Sequence, residues 1–146
     1  MSFVGSLDAI AKQLHDASDR SRVSCDDFLA IERGRYYAQL LFNRDAVFGE
    51  VVSNTFLSGP DRLTTVQEHR LRTLGWTPPG VPCHSRCERA HPNFHRVWLD
   101  ATPTGDIVRD LLLAFLNITR PAEGELLTLV GGFRIGTAST GLPCNH

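Results

Sequence analysis

The chain has 146 residues, 42% of them hydrophobic, and a formal net charge of -1. That length suits one domain with its own core, and that balance excludes a disordered composition and a global electrostatic pull toward nucleic acid. Lys12 is the sole lysine, and the arginines are scattered rather than gathered into a patch of the kind that binds nucleic acid.

The first residues lack the basic region, apolar run and cleavage site of a secretory signal, and the longest strongly apolar run, Leu111 to Leu116, is too short to cross a bilayer. The expectation is a cytoplasmic protein with no membrane or nucleic-acid partner. Cys25, Cys83, Cys87 and Cys144 are then expected as reduced thiols.

Phe3, Leu7, Ile10 and Leu14 recur at helical spacing, with Asp8, Lys12 and Asp16 on other faces, which predicts an amphipathic helix of about four turns. Ser18 to Asp27 reads as polar and turn-like. Phe28 to Ile31, Tyr36 to Phe42 and Phe48 to Phe56 then read as successive strands, rich in aromatic and β-branched residues. Short turns at Arg33-Gly34 and Asn43-Arg44-Asp45 make an antiparallel meander the natural pairing. In the middle strand Tyr36, Ala38, Leu40 and Phe42 face a core, while Tyr37, Gln39 and Leu41 face the other way. That second set is mixed, as on a face that is open or covered by a client, a dimer partner or the first helix.

Phe56 to Gly80 carries the clearest punctuation. Gly59-Pro60 ends an extended segment, and Thr64 with Gln67 has capping-box spacing. A helix is predicted from Thr65 to Leu74, with Gly75 in the left-handed C-terminal position and Pro78-Pro79 forbidding continuation. On that helix Arg70 falls within the arc of Val66, Leu71 and Leu74, so it must snorkel, pair with an acid such as Glu50, or act as a fork for a client carbonyl or carboxylate. Trp76 and Trp98 are either core residues or an aromatic platform for an apolar client segment.

Val81 to Pro92 reads as a loop, crowded with cysteine, histidine, arginine and proline. Cys83, Cys87, His91 and His95 have the ligand types of a zinc site. On a continuous helix the outer two would lie about 18 Å apart, so only a loop brings all four to one ion. Phe94 to Leu99 reads as a strand, and Asp106 to Thr119 as a last helix whose apolar residues cover more than half its circumference, so that it is buried on two sides. Glu125 to Val130 reads equally as a strand or a short helical turn. Residues 1–130 form one expected domain and 131–146 a mobile, glycine-rich tail. Helices and strands in the order α-β-β-β-α-β-α indicate an α+β fold, an antiparallel sheet with helices packed on one face.

No motif for a nucleophile, a phosphate loop, a metalloprotease or a paired acid stands in a suitable context, so no enzyme is expected.

Tyr36-Tyr37-Ala38-Gln39-Leu40, Glu50 to Asn54 with Phe56-Leu57, Leu63-Thr64 and Gln67, the Leu74-Gly75-Trp76 segment with Pro78-Pro79, and Asn93-Phe94 with Arg96 and Trp98 together resemble the TY-Chap family. These are bacterial domains similar in fold to type III secretion chaperones and to YbjN. The resemblance covers roughly Tyr36 to Val130, and neither the Cys/His-rich loop nor the tail has a counterpart in it. It implies a non-enzymatic, peptide-binding chaperone-like domain, cytoplasmic and homodimeric, that needs no cofactor. A protein or peptide client is expected on the exposed strand face together with the last helix, with Tyr37, Gln39, Leu41, Arg70, Trp76, Arg96 and Trp98 as the residues that hold it. The alternative is a zinc- or redox-responsive adaptor built on Cys83, Cys87, His91 and His95. A third reading is a structural dimer joined through the last helix, without a client.

Overall fold

The computed structural model describes residues 2–24, 27–82 and 91–133. Their order is β1 (Ser2–Gly5), α1 (Leu7–Ser24), β2 (Asp27–Arg33), β3 (Tyr36–Phe42), β4 (Ala46–Val51), α2 (Thr65–Thr73), β5 (Phe94–Leu99), α3 (Thr104–Ile118) and β6 (Leu127–Phe133), with a single 3-10 turn at Gly59–Asp61. Six strands pair antiparallel in the order β1-β6-β2-β3-β4-β5. The α+β class, the β2-β3-β4 meander and the helices on one face agree with the sequence reading.

Alternation along each strand sorts the sheet into two faces. Leu29 and Ile31, Ala38, Leu40 and Phe42, Val47 and Val51, Phe94 and Trp98, Leu127 and Leu129 all point to one side and are buried there. Against them lie Ile10 and Leu14 of α1, Leu71 of α2, and Ile107, Leu111 and Phe115 of α3. Burial of these side chains is the main stabilising term, at about 25 cal/mol per Å2 of apolar surface removed from water.

Three expectations are corrected. Phe3 does not begin the first helix: Ser2–Gly5 is a strand at the sheet edge, paired with Leu127 to Val130, and Ser6 starts the helix by accepting the Ala9 N–H at 3.4 Å on its hydroxyl and the Ile10 N–H at 2.8 Å on its carbonyl. The helix then runs to Ser24, through the stretch expected to be turn-like, because its buried stripe continues with the small residues Ala17, Ser18 and Ser21. Finally, β6 continues through Gly131, Gly132 and Phe133, past the expected start of the tail, since their backbones complete the pairing with Asp27 to Leu29. Within the ambiguous Glu125 to Val130 segment, Leu127 to Val130 form the start of this strand, filling the gap between β1 and β2. Residues 134–146 lie outside the described part. Among the described residues no helix is long and apolar enough to cross a membrane.

Candidate functional site

The unit from Thr64 to Trp98 is built as its sequence punctuation implies. The Thr64 hydroxyl accepts the Gln67 N–H at 3.1 Å while the Gln67 side chain accepts the Thr64 N–H at 2.7 Å, a complete capping box. At the other end Gly75, at φ 99°, lets its N–H reach the Arg72 carbonyl and the Trp76 N–H reach the Leu71 carbonyl, each at 3.0 Å. This is a Schellman closure. It turns Trp76 under the helix, where its ring meets Trp98 edge to face with centroids 5.7 Å apart.

Arg96 holds this corner from the edge strand. Its guanidinium donates to the Leu74 carbonyl at 2.8 Å, pairs with Asp110 of α3 at 3.2 Å and lies 5.2 Å from the centre of the Trp98 ring. The Trp98 indole N–H also donates to Asp110, at 3.1 Å. One side-chain cluster therefore ties α2, β5 and α3 together. The aromatic-platform expectation is corrected: Trp76 and Trp98 are 2% and 4% exposed, inside the core, because Gly49 on β4 leaves room for both rings. Arg96 is engaged with its own chain.

Arg70 stands apart from this cluster. The arc that it was expected to share is not a packed face, since Val66 is 72% exposed and Leu71 is the buried member. Arg70 is exposed on the helix side of the sheet. Glu50, its expected partner, faces the opposite side and accepts from Gln39 Nε2 at 2.7 Å.

Tyr37, Gln39 and Leu41 do come together, on the face away from the helices, and all three are half-buried. The pairing register lines Leu41 up with Phe28 on one side and with Phe48 and then Val97 on the other, an apolar row across four strands. Beside it runs a second row of Ala30, Gln39, Glu50 and His95. Tyr37 lies one step further along, its hydroxyl accepting from Asn93 Nδ2 at 2.9 Å, while Asn93 Oδ1 accepts the Ser53 N–H at 3.0 Å. Among the described residues no helix lies over this face. Sequence reasoning found the β3 part of it and missed Phe28, Phe48 and Val97. Strand register alone makes them neighbours, and no local pattern encodes register across two hairpin turns and a connection that carries a helix.

Of the four metal-ligand candidates, Cys83 and Cys87 lie outside the described residues. His91 and His95 are side by side, with ring centroids 4.3 Å apart and the His91 ring 5.5 Å from that of Phe48. His95 is fully buried; its Nδ1 sits 2.9 Å from the Asn93 carbonyl and so carries the proton, and its Nε2 has no hydrogen-bond partner. Among the described residues no group of three or more histidine, cysteine, aspartate or glutamate side chains gathers as a metal site.

Over residues 7–122 the chain matches TY-Chap3, the family described as T3SS (YopN, CesT) and YbjN peptide-binding chaperone 3. The match starts at α1, well before Tyr36, where the motif resemblance begins. No curated protein sequence matches the chain, and no solved structure does.

Proposed function

Because the chain belongs to the TY-Chap3 family of type III secretion and YbjN peptide-binding chaperones, we propose that it is a non-enzymatic module holding a client chain on the open face of its sheet. Tyr37, Gln39 and Leu41 are contact residues in this reading, joined by Phe28, Phe48 and Val97. The observation that carries it is the apolar row Phe28, Leu41, Phe48 and Val97, which the helices leave uncovered. Tyr37 and Gln39 are held by Asn93 and Glu50, so the polar groups beside the row are already oriented and little further ordering is needed on binding. Arg70, on the other side of the sheet, and Arg96, tied to Leu74 and Asp110, take no part.

The last helix does not share this client surface, since it packs on the opposite side of the sheet. There Leu112 and Leu116 are half-buried and Leu113 is 47% exposed. We assign the expected homodimer contact to that stripe, which leaves the open face free. The cytoplasm, where unpaired thiols persist, is the compartment that suits the four cysteines.

The test is capture of peptides from a displayed random panel. Leu41→Glu and Phe48→Glu should each remove the enrichment while leaving the far-ultraviolet dichroism unchanged, and Leu113→Glu should retain it. Enrichment that survives both open-face variants and disappears with Leu113→Glu would place the client on the helix side.

The adaptor reading keeps one specific support: the adjacent imidazoles of His91 and His95, with an unbonded Nε2 on a histidine oriented through its other nitrogen, as ligating histidines are. Zinc held by these two with Cys83 and Cys87 would give one bound ion per chain in native mass spectrometry. A metal-free chain under saturating zinc would remove this reading.

A further inference from the structure

The charge of the open face narrows what binds there. Its strand positions include two carboxylates, Glu32 and Glu50, and among the described residues of β1 to β6 no lysine or arginine points to that side. Both carboxylates lie on the same side of the apolar row. Glu50 is one pleat from it and Glu32 two, about 7 and 13 Å along the strands. On the other flank of the row stand Ala46 and Leu99, which are uncharged. Among the described strand residues the face is thus an apolar band with carboxylates on one side only.

A second constraint comes from backbone hydrogen bonding. A sheet face offers side chains but no free N–H or C=O groups, so an extended client laid on it would bury its own backbone without partners, at a cost for each unsatisfied group. A helix carries its backbone bonds with it. The row from Phe28 to Val97 crosses three strand spacings, about 14 Å, which is the length of about nine to ten helical residues. A copy of this same face is a poor occupant, because among its described strand positions it offers no lysine or arginine to meet these carboxylates.

We propose that the client segment is an amphipathic helix of about three turns, with an apolar stripe for the row Phe28, Leu41, Phe48 and Val97 and lysine or arginine along one flank of that stripe, facing Glu50 and Glu32. The proposal rests on the open-face reading and specifies its partner.

Four synthetic fluorescent peptides test it on the full chain by anisotropy. One is a leucine-striped helix with lysines on one flank. The second carries glutamate in place of each lysine, the third is a scramble of the first, and the fourth is an extended peptide with alternating valine and lysine. The lysine helix should bind at least ten times more tightly than the other three. It should lose affinity with Leu41→Glu, and weaken several-fold with Glu50→Gln combined with Glu32→Gln and with rising salt. Equal binding of the lysine and glutamate helices, both abolished by Leu41→Glu, would overturn the charge assignment and leave the open-face reading standing. Tighter binding of the extended peptide would overturn the helical assignment. Binding of these peptides that ignores Leu41→Glu, or no binding of any of the four, would overturn the proposal; only the former, with Leu113→Glu abolishing it, counts against the open face itself.

Discussion

Gly49 lies under the edge of Trp98 so closely that a Cβ at position 49 would stand 2.5 Å from Cζ3 of the indole and 2.9 Å from Cη2 of Trp76. This approach brings the segment after α2 down onto β4 and β5, and it gives a physical role to the Leu-Gly-Trp-x-Pro-Pro and Asn-Phe-x-x-x-Trp segments that carry the family resemblance. They build a corner of the fold.

Gly49→Ala should therefore destabilise the chain by about 1–3 kcal/mol through overpacking, and Trp98→Ala by about 3–5 kcal/mol through a cavity. Urea unfolding followed by fluorescence measures both. A Gly49→Ala protein as stable as the native chain would mean that the rings have room to shift.

Arg96→Lys retains a charge but not the fork that reaches the Leu74 carbonyl and Asp110 together. The expected outcome is a lower Tm with peptide capture intact once the protein is folded. If Arg96→Lys left the Tm unchanged and removed peptide capture, Arg96 would instead belong to the client site.

Thr64→Ala removes one half of the capping box and should cost about 1 kcal/mol, read as a shift of the urea midpoint. No change would show that the helix start is fixed by its packing and not by its cap.

The sequence made α2 legible to within a residue because Thr64, Gln67 and Gly75 act locally, each on a backbone group within one turn. It misplaced the start of the first helix because Phe3 and Leu7 have helical spacing by coincidence across a strand-to-helix junction. It lost the last turns of α1 because Ser18 and Ser21 are polar yet buried. The faces of β3 are legible from alternation alone, which puts Tyr37, Gln39 and Leu41 on one side of the sheet. Trp76, Trp98 and Arg96 were grouped with them although they lie across the sheet. Nothing in one strand states which side of a neighbouring strand faces the helices.

An ion pair gives the chain a defined acid response. Arg33 on β2 holds Glu125 through two of its nitrogens, one at 3.0 Å, and also donates to Thr119 at 2.7 Å. The hydrogen bond from the Arg33 guanidinium first, and then that from the Ala122 N–H, lower the Glu125 pKa from its ordinary 4.5. A carboxylate depressed in the folded state contributes stability that is present above its unfolded pKa and is lost as pH falls through the folded value. The Tm gap between the native chain and Glu125→Gln should thus be open at neutral pH and close on acidification. A gap that stays constant down to strongly acidic pH would show that the pair does not titrate with folding.

The most direct test of the open-face account is methyl NMR of the chain saturated with a peptide selected from the displayed panel. The account predicts the largest shift changes at Leu41 and Val97, with Leu112, Leu113 and Leu116 unmoved. Changes concentrated on those three α3 leucines, with the Leu41 methyls unchanged, would contradict it.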